Sequence, residues 1–142
     1  MSGVASCRAR ALRAILFTFV VEFAVIQATN NPTKLWLYET GGSIGDSSVR
    51  SSPALSPDGK VVYAGNYDNS LYAINAADGS KLWSYETGDS VRSSPAVSPD
   101  GKVVYVGSLD YSLYAINAAD GSKLWSYQTG SSVSSSPALS PD

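Results

Sequence analysis

The sequence predicts an all-β fold of four-stranded antiparallel blades, and three observations carry that prediction. The segment Leu71–Gly88 returns almost verbatim as Leu113–Gly130, and its tail is already present as Lys34–Gly41. Trp83 and Trp125 stand 42 residues apart, a spacing that marks a repeat architecture. Within each unit, four short runs rich in β-formers alternate with turn residues, the pattern of an antiparallel meander.

The elements follow in order. Ser51–Ser56 is the first strand candidate, ended by Pro57-Asp58-Gly59, where Pro fixes φ and Gly accepts a positive φ. Lys60–Gly65 is the second, with Val61, Val62 and Tyr63 suited to a pleated surface. Tyr67–Ser70 turns the chain into Leu71–Asn75, and Ala76–Gly79 turns it into Lys81–Thr87. Side chains alternate along a strand, so Val61 and Tyr63 oppose Val62 and Ala64, and Leu71 and Ala73 oppose Tyr72 and Ile74. Both faces are therefore apolar and both need a neighbour, as a blade in a stack has. Pro53, Pro95 and Pro137 fall in the first strand of successive units, where an edge position tolerates a missing donor. Four-stranded blades with these properties predict a β-propeller.

Composition narrows the chemistry. From Asn31 onward, seven Lys/Arg stand against eleven Asp/Glu, which argues against nucleic acid, because phosphate binding needs a positive stripe. The single cysteine, Cys7, excludes an internal disulfide and any multi-cysteine metal site. With no histidine, a His-based triad is excluded too.

Residues 1–28 differ in kind. Arg8, Arg10 and Arg13 precede the apolar run Ala14–Ala28, which ends on a small residue before a polar stretch. This order predicts a secretory signal peptide, with a signal anchor as the alternative. The run is short against the about 20 residues of a spanning helix, and Glu22 interrupts it. The expected location is secreted, periplasmic or extracellular, with membrane contact only through this segment if it is retained. Residues 29–33 read as a short linker.

The units Val49–Ser90 and Val91–Ser132 differ at only seven of 42 positions. In both, Ala-x-Asn-x-x-x-Gly-x-x-x-Trp recurs, as Ala73, Asn75, Gly79 and Trp83 and as Ala115, Asn117, Gly121 and Trp125. This resembles the tryptophan-docking motif of the pyrroloquinoline-quinone (PQQ)-like repeat family, in the quinoprotein-like superfamily. Val91–Ala96 and Val104–Gly107 are similar to the same family's repeat, and the resemblance covers about Lys34 to Asp142. It implies a propeller whose Trp side chains pack between adjacent blades. The Trp-Asp and Gly-His signatures of WD repeats are missing.

The expected layout is a last strand and connection at 34–48, blades at 49–90 and 91–132, and a first strand within 133–142. Two blades cannot close a ring of about 4 to 8, so the sequence is expected to represent part of a ring. Open blade faces would then invite self-association.

The resemblance also implies an alternative, a fragment of a PQQ-dependent dehydrogenase that lacks its catalytic blades, with PQQ and calcium as cofactors. The residues favour a non-catalytic reading with no cofactor, metal or catalytic group. Asp58 recurs as Asp100, Asp68 as Asp110 and Asp78 as Asp120, whereas an asymmetric cofactor site needs residues unique to one blade. Asp58 and Asp78 precede Gly in turns, where Asp bonds its own backbone; Asp68 and Asp110 are more open to a ligand role.

The differing positions are Leu55/Val97, Ala64/Val106, Asn66/Ser108, Tyr67/Leu109, Asn69/Tyr111, Glu86/Gln128 and Asp89/Ser131. The first two are apolar exchanges. The other five lie in or beside the turn after strand two and the connection after strand four, which emerge at the same end of a meander. A candidate partner-binding rim therefore comprises Asn66, Tyr67, Asn69, Glu86, Asp89, Ser108, Leu109, Tyr111 and Gln128, bordered by Arg50 and Arg92. Tyr67 and Tyr111 are its expected exposed contacts, while Tyr63, Tyr72, Tyr105 and Tyr114 are expected in the core. The plain alternative is that rim residues vary because nothing constrains them. The leading expectation is a protein-binding or scaffold module of a secreted or envelope-exposed propeller.

Overall fold

The computed structural model describes residues 51–140. The expected leader, linker, strand and connection up to residue 48, and Arg50, lie outside these residues. Two four-stranded antiparallel sheets form, β1 (Ala54–Leu55), β2 (Val61–Gly65), β3 (Ser70–Asn75) and β4 (Lys81–Glu86), then β5 (Ala96–Val97), β6 (Val103–Gly107), β7 (Ser112–Asn117) and β8 (Lys123–Gln128). Each sheet runs in chain order, β1-β2-β3-β4 and β5-β6-β7-β8, as a meander requires.

The first strand of each blade is shorter than its sequence suggests. Pro53 and Pro95 bring no N–H to the ladder, so pairing starts one residue later, with Ala54 opposite Tyr63 and Ala96 opposite Tyr105. The strand expected at 134–140 is not formed among the described residues. In the two complete blades such a strand is held by the Val-Val-Tyr-x-Gly strand after it, and among the described residues none pairs with 134–140. The segment is still tied to the blade before it, since Ser94 N donates to Ser136 Oγ at 3.2 Å, repeating the bond from Ser52 N to Ser94 Oγ at 2.9 Å.

The two faces of the first blade are both buried. Val62, Ala64, Tyr72, Ile74 and Ala76 form one cluster. Tyr63, Leu71, Ala73 and Trp83 form the other, interleaved with Val104, Val106, Tyr114, Ile116 and Ala118 of the second blade. Burying such a set is the main favourable term in folding, about 1.5–3 kcal/mol for each large apolar side chain. Close approach is built in at Gly65, where a Cβ would stand 2.3 Å from Val91 Cγ1 and 2.9 Å from Val91 O. Gly107 meets Val133 in the same way.

Trp83 shows what joins the blades. Its Nε1 donates to Ala118 O at 3.0 Å, and its ring lies on Gly121. Trp125, identical in local sequence, is 45% exposed against 9% for Trp83. Among the described residues its ring partner is Tyr105 of its own blade, at 5.9 Å, matching Tyr63–Trp83 at 5.8 Å. Tyr105 is accordingly half-buried rather than core, unlike Tyr63, Tyr72 and Tyr114.

Candidate interaction rim

At one end of each blade, a turn and a connection are laced together by backbone bonds. Thr87 N donates to Asn69 O at 2.7 Å, Val91 N to Asn66 O at 2.9 Å, and Ser90 Oγ to Tyr67 O at 3.1 Å. The next blade adds its own turn to the same connection, because Leu109 N donates to Ser90 O at 3.0 Å and Ser108 Oγ to Asp89 O at 2.8 Å. The sequence-derived positions are thus brought to one end of the structure, on a frame rather than on loose loops.

Their side chains do not all face outward. Asn66 and Ser108 are fully buried, a correction to their place among candidate contacts. Both side chains bond backbone, Asn66 Oδ1 accepting from Tyr67 N at 2.8 Å and Ser108 Oγ accepting from Asp110 N at 3.2 Å. Asn66 Nδ2 is left buried without a hydrogen-bond partner, a costly state for an amide. Tyr67, expected exposed, is half-buried, and the guanidinium of Arg92 lies over its ring at 4.7 Å. Leu109 and Asn69 are also half-buried.

Glu86, Asp89, Arg92, Tyr111 and Gln128 are exposed, so the outward rim is a smaller set than the variable one. Tyr111 is 49% exposed and has φ 69°, as does Asn69 at the matching position. Asparagine enters this left-handed region readily, but a bulky side chain there is an outlier. The carbonyl of Tyr111 holds the conformation by accepting from Thr129 N at 2.6 Å and Thr129 Oγ1 at 2.8 Å.

Asp110, one of the two carboxylates most open to a ligand role, is a strut between blades. Its Oδ2 accepts from Gly88 N at 2.7 Å and from Tyr114 Oη at 2.6 Å, and its Oδ1 from Ser112 N at 3.0 Å. Burial, reinforced by this carboxylate, pushes the Tyr114 phenol up to about 12. Asp68 repeats the bonds to Tyr72 Oη at 2.6 Å and Ser70 N at 3.1 Å. Asp58, Asp78, Asp100 and Asp120 accept from the serine hydroxyls beside them, bonds that hold their carboxyls below the ordinary range. Calcium asks for six or more oxygen ligands, and among the described residues no such acidic group assembles.

One exposed feature had no sequence reading. The pairing of β3 with β4 slips after Ala73, where Trp83 faces Ala73 and Lys81 faces Ile74, leaving Leu82 as an extra, half-exposed residue. Leu124 repeats this on the second blade. Alternation alone would have paired both; only the crowding of Lys-Leu-Trp after a tight Asp-Gly turn hints at a bulge.

Residues 22–142 match the sequence model of a family described as outer membrane protein assembly factor BamB. A curated relative, Protein Rv3035 of Mycobacterium tuberculosis (strain ATCC 25618 / H37Rv), is 48% identical over 42 residues, 30% of this chain and 10% of that protein. Among solved structures, BamB from Moraxella catarrhalis superposes with a TM-score of 0.59 at 20% identity, over 69% of this chain and 28% of that one. The WD40 repeats of RRP9 superpose with a TM-score of 0.51 at 20% identity, over 62% of this chain and 30% of theirs. These structural likenesses are of fold, and the chain spans less than a third of each of these proteins.

Proposed function

Because the chain belongs to the BamB family of PQQ-like repeat β-propeller proteins, we propose that it is a non-catalytic protein-binding scaffold of the cell envelope, with the variable rim as its contact face. The observation that carries this reading is the division between the two ends of the blades. The turns Ser-Pro-Asp-Gly and Ala-Ala-Asp-Gly are unchanged between copies, and their carboxylates bond their own turns. At the other end a rigid backbone frame presents residues that change from blade to blade, and such positions on a fixed scaffold are where binding concentrates. The envelope setting rests on the family description, which names outer-membrane assembly, and on the leader-like order of residues 1–28.

The competing reading is a piece of a quinoprotein dehydrogenase. Titrating the purified chain with PQQ and calcium separates the two. The scaffold reading expects no saturable change in quinone absorbance; saturable binding that depends on calcium would overturn it.

A further inference from the structure

We infer that Tyr111 is the seat for an arginine side chain of the partner protein, the ring serving as a stacking platform on an acidic rim. This rests on the scaffold reading above and names the chemistry its partner brings.

The first blade supplies the template. Tyr67 stands on the rim with a guanidinium 4.7 Å above its ring, donated by Arg92 from the following connection. The second blade changes both members of that pair. The position of Tyr67 is taken by Leu109, and the position of Arg92 by Ser134. An aromatic ring returns two residues later, at Tyr111, where no arginine of the second connection can reach it, because Arg92 is the one arginine among the described residues. The first copy uses Asn69 at this place, a residue suited to φ 69°. The second copy instead holds a half-exposed tyrosine in the same strained conformation, and strained exposed residues concentrate at sites of contact.

Charge points the same way. At the opposite end, Lys60, Lys81, Lys102 and Lys123 balance Asp58, Asp78, Asp100 and Asp120. Among the described residues of the rim, Asp68, Glu86, Asp89 and Asp110 stand against one cation, Arg92. A net negative rim draws cationic segments and speeds their encounter. An arginine is favoured over a lysine because its planar guanidinium stacks on an aromatic face, as Arg92 already does on Tyr67.

The test uses the full chain and a capped (Gly-Arg)4 peptide, with a citrulline peptide of the same shape as the uncharged control and a (Gly-Lys)4 peptide as the point-charge control. Binding is read from the tyrosine ring resonances. The inference expects saturable shifts centred on Tyr111 with the arginine peptide, weaker ones with lysine and none with citrulline. Y111N should weaken binding about two- to fivefold, the order of an exposed cation–π contact, while Y111F keeps it. Y111N should also raise the melting temperature, which shows that its loss of binding is not loss of fold. Equal binding by Y111N and the parent chain, or equal shifts with citrulline, would overturn the inference. A rim that binds a partner through some other group would leave the scaffold reading standing and this one refuted.

Discussion

Trp83 of the first blade lies on Gly121 of the second, so closely that a Cβ at Gly121 would stand 2.7 Å from Trp83 Cδ2. Gly121 also has φ 75°, which L side chains rarely adopt. Two independent constraints therefore meet at one residue. Gly121→Val is expected to cost at least about 2–3 kcal/mol from strain and clash together, measured by urea denaturation.

The same contact separates two tryptophans that the sequence makes identical. Trp83→Ala removes a buried ring and its bond to Ala118 O, and should cost about 3–5 kcal/mol. Trp125→Ala removes a half-exposed ring that no second blade covers among the described residues, and should cost about 1 kcal/mol. Equal costs would mean that the interblade seat of Trp83 contributes little.

Exchanging the residues at φ 69° should have opposite effects on the two blades. Tyr111→Asn relieves strain and is expected to stabilise by about 1 kcal/mol, whereas Asn69→Tyr introduces it and should destabilise by a similar amount. Thermal melting of both variants, with their double exchange as a control for context, measures this.

The burial of Tyr114, reinforced by its bond to Asp110, sets an alkaline limit. The Tyr114 phenol is raised to about 12, so the folded chain holds this proton more tightly than the unfolded one, whose tyrosines titrate near the ordinary value of 10. The corresponding stability is complete below pH about 10 and is lost as pH rises from there towards 12. Burial raises Tyr63 and Tyr85 in the same direction. Tyr114→Phe should flatten the fall in stability across this window, read from denaturation midpoints against pH. It should also lower stability at neutral pH by about 1–2 kcal/mol, because Asp110 loses a donor.

Much of this architecture is legible in the residues because the chain prints its blade twice. Strand order, the Asp-Gly turns and the two apolar faces all follow from local chemistry repeated in register. What the residues hide is direction and neighbourhood. Asn66 and Ser108 vary, as rim contacts would, yet turn inward to bond the backbone that carries the rim. Trp83 and Trp125 share their local sequence but not their burial, which depends on what stands across the face. The conformation of Tyr111 was encoded only indirectly, by the asparagine that holds its place one blade earlier. Leu82 and Leu124 escaped because a bulge breaks the alternation used to place them.

The claim that the variable rim, and not the repeated motif, carries function is tested most directly by site-specific photocrosslinking in cells that naturally produce the chain. A benzophenone amino acid placed at 111 or 89 should give a discrete protein adduct. The same group at 60 or 102, in the unchanged turns of the opposite end, should give none. Adducts from the opposite end with none from the rim would contradict the account.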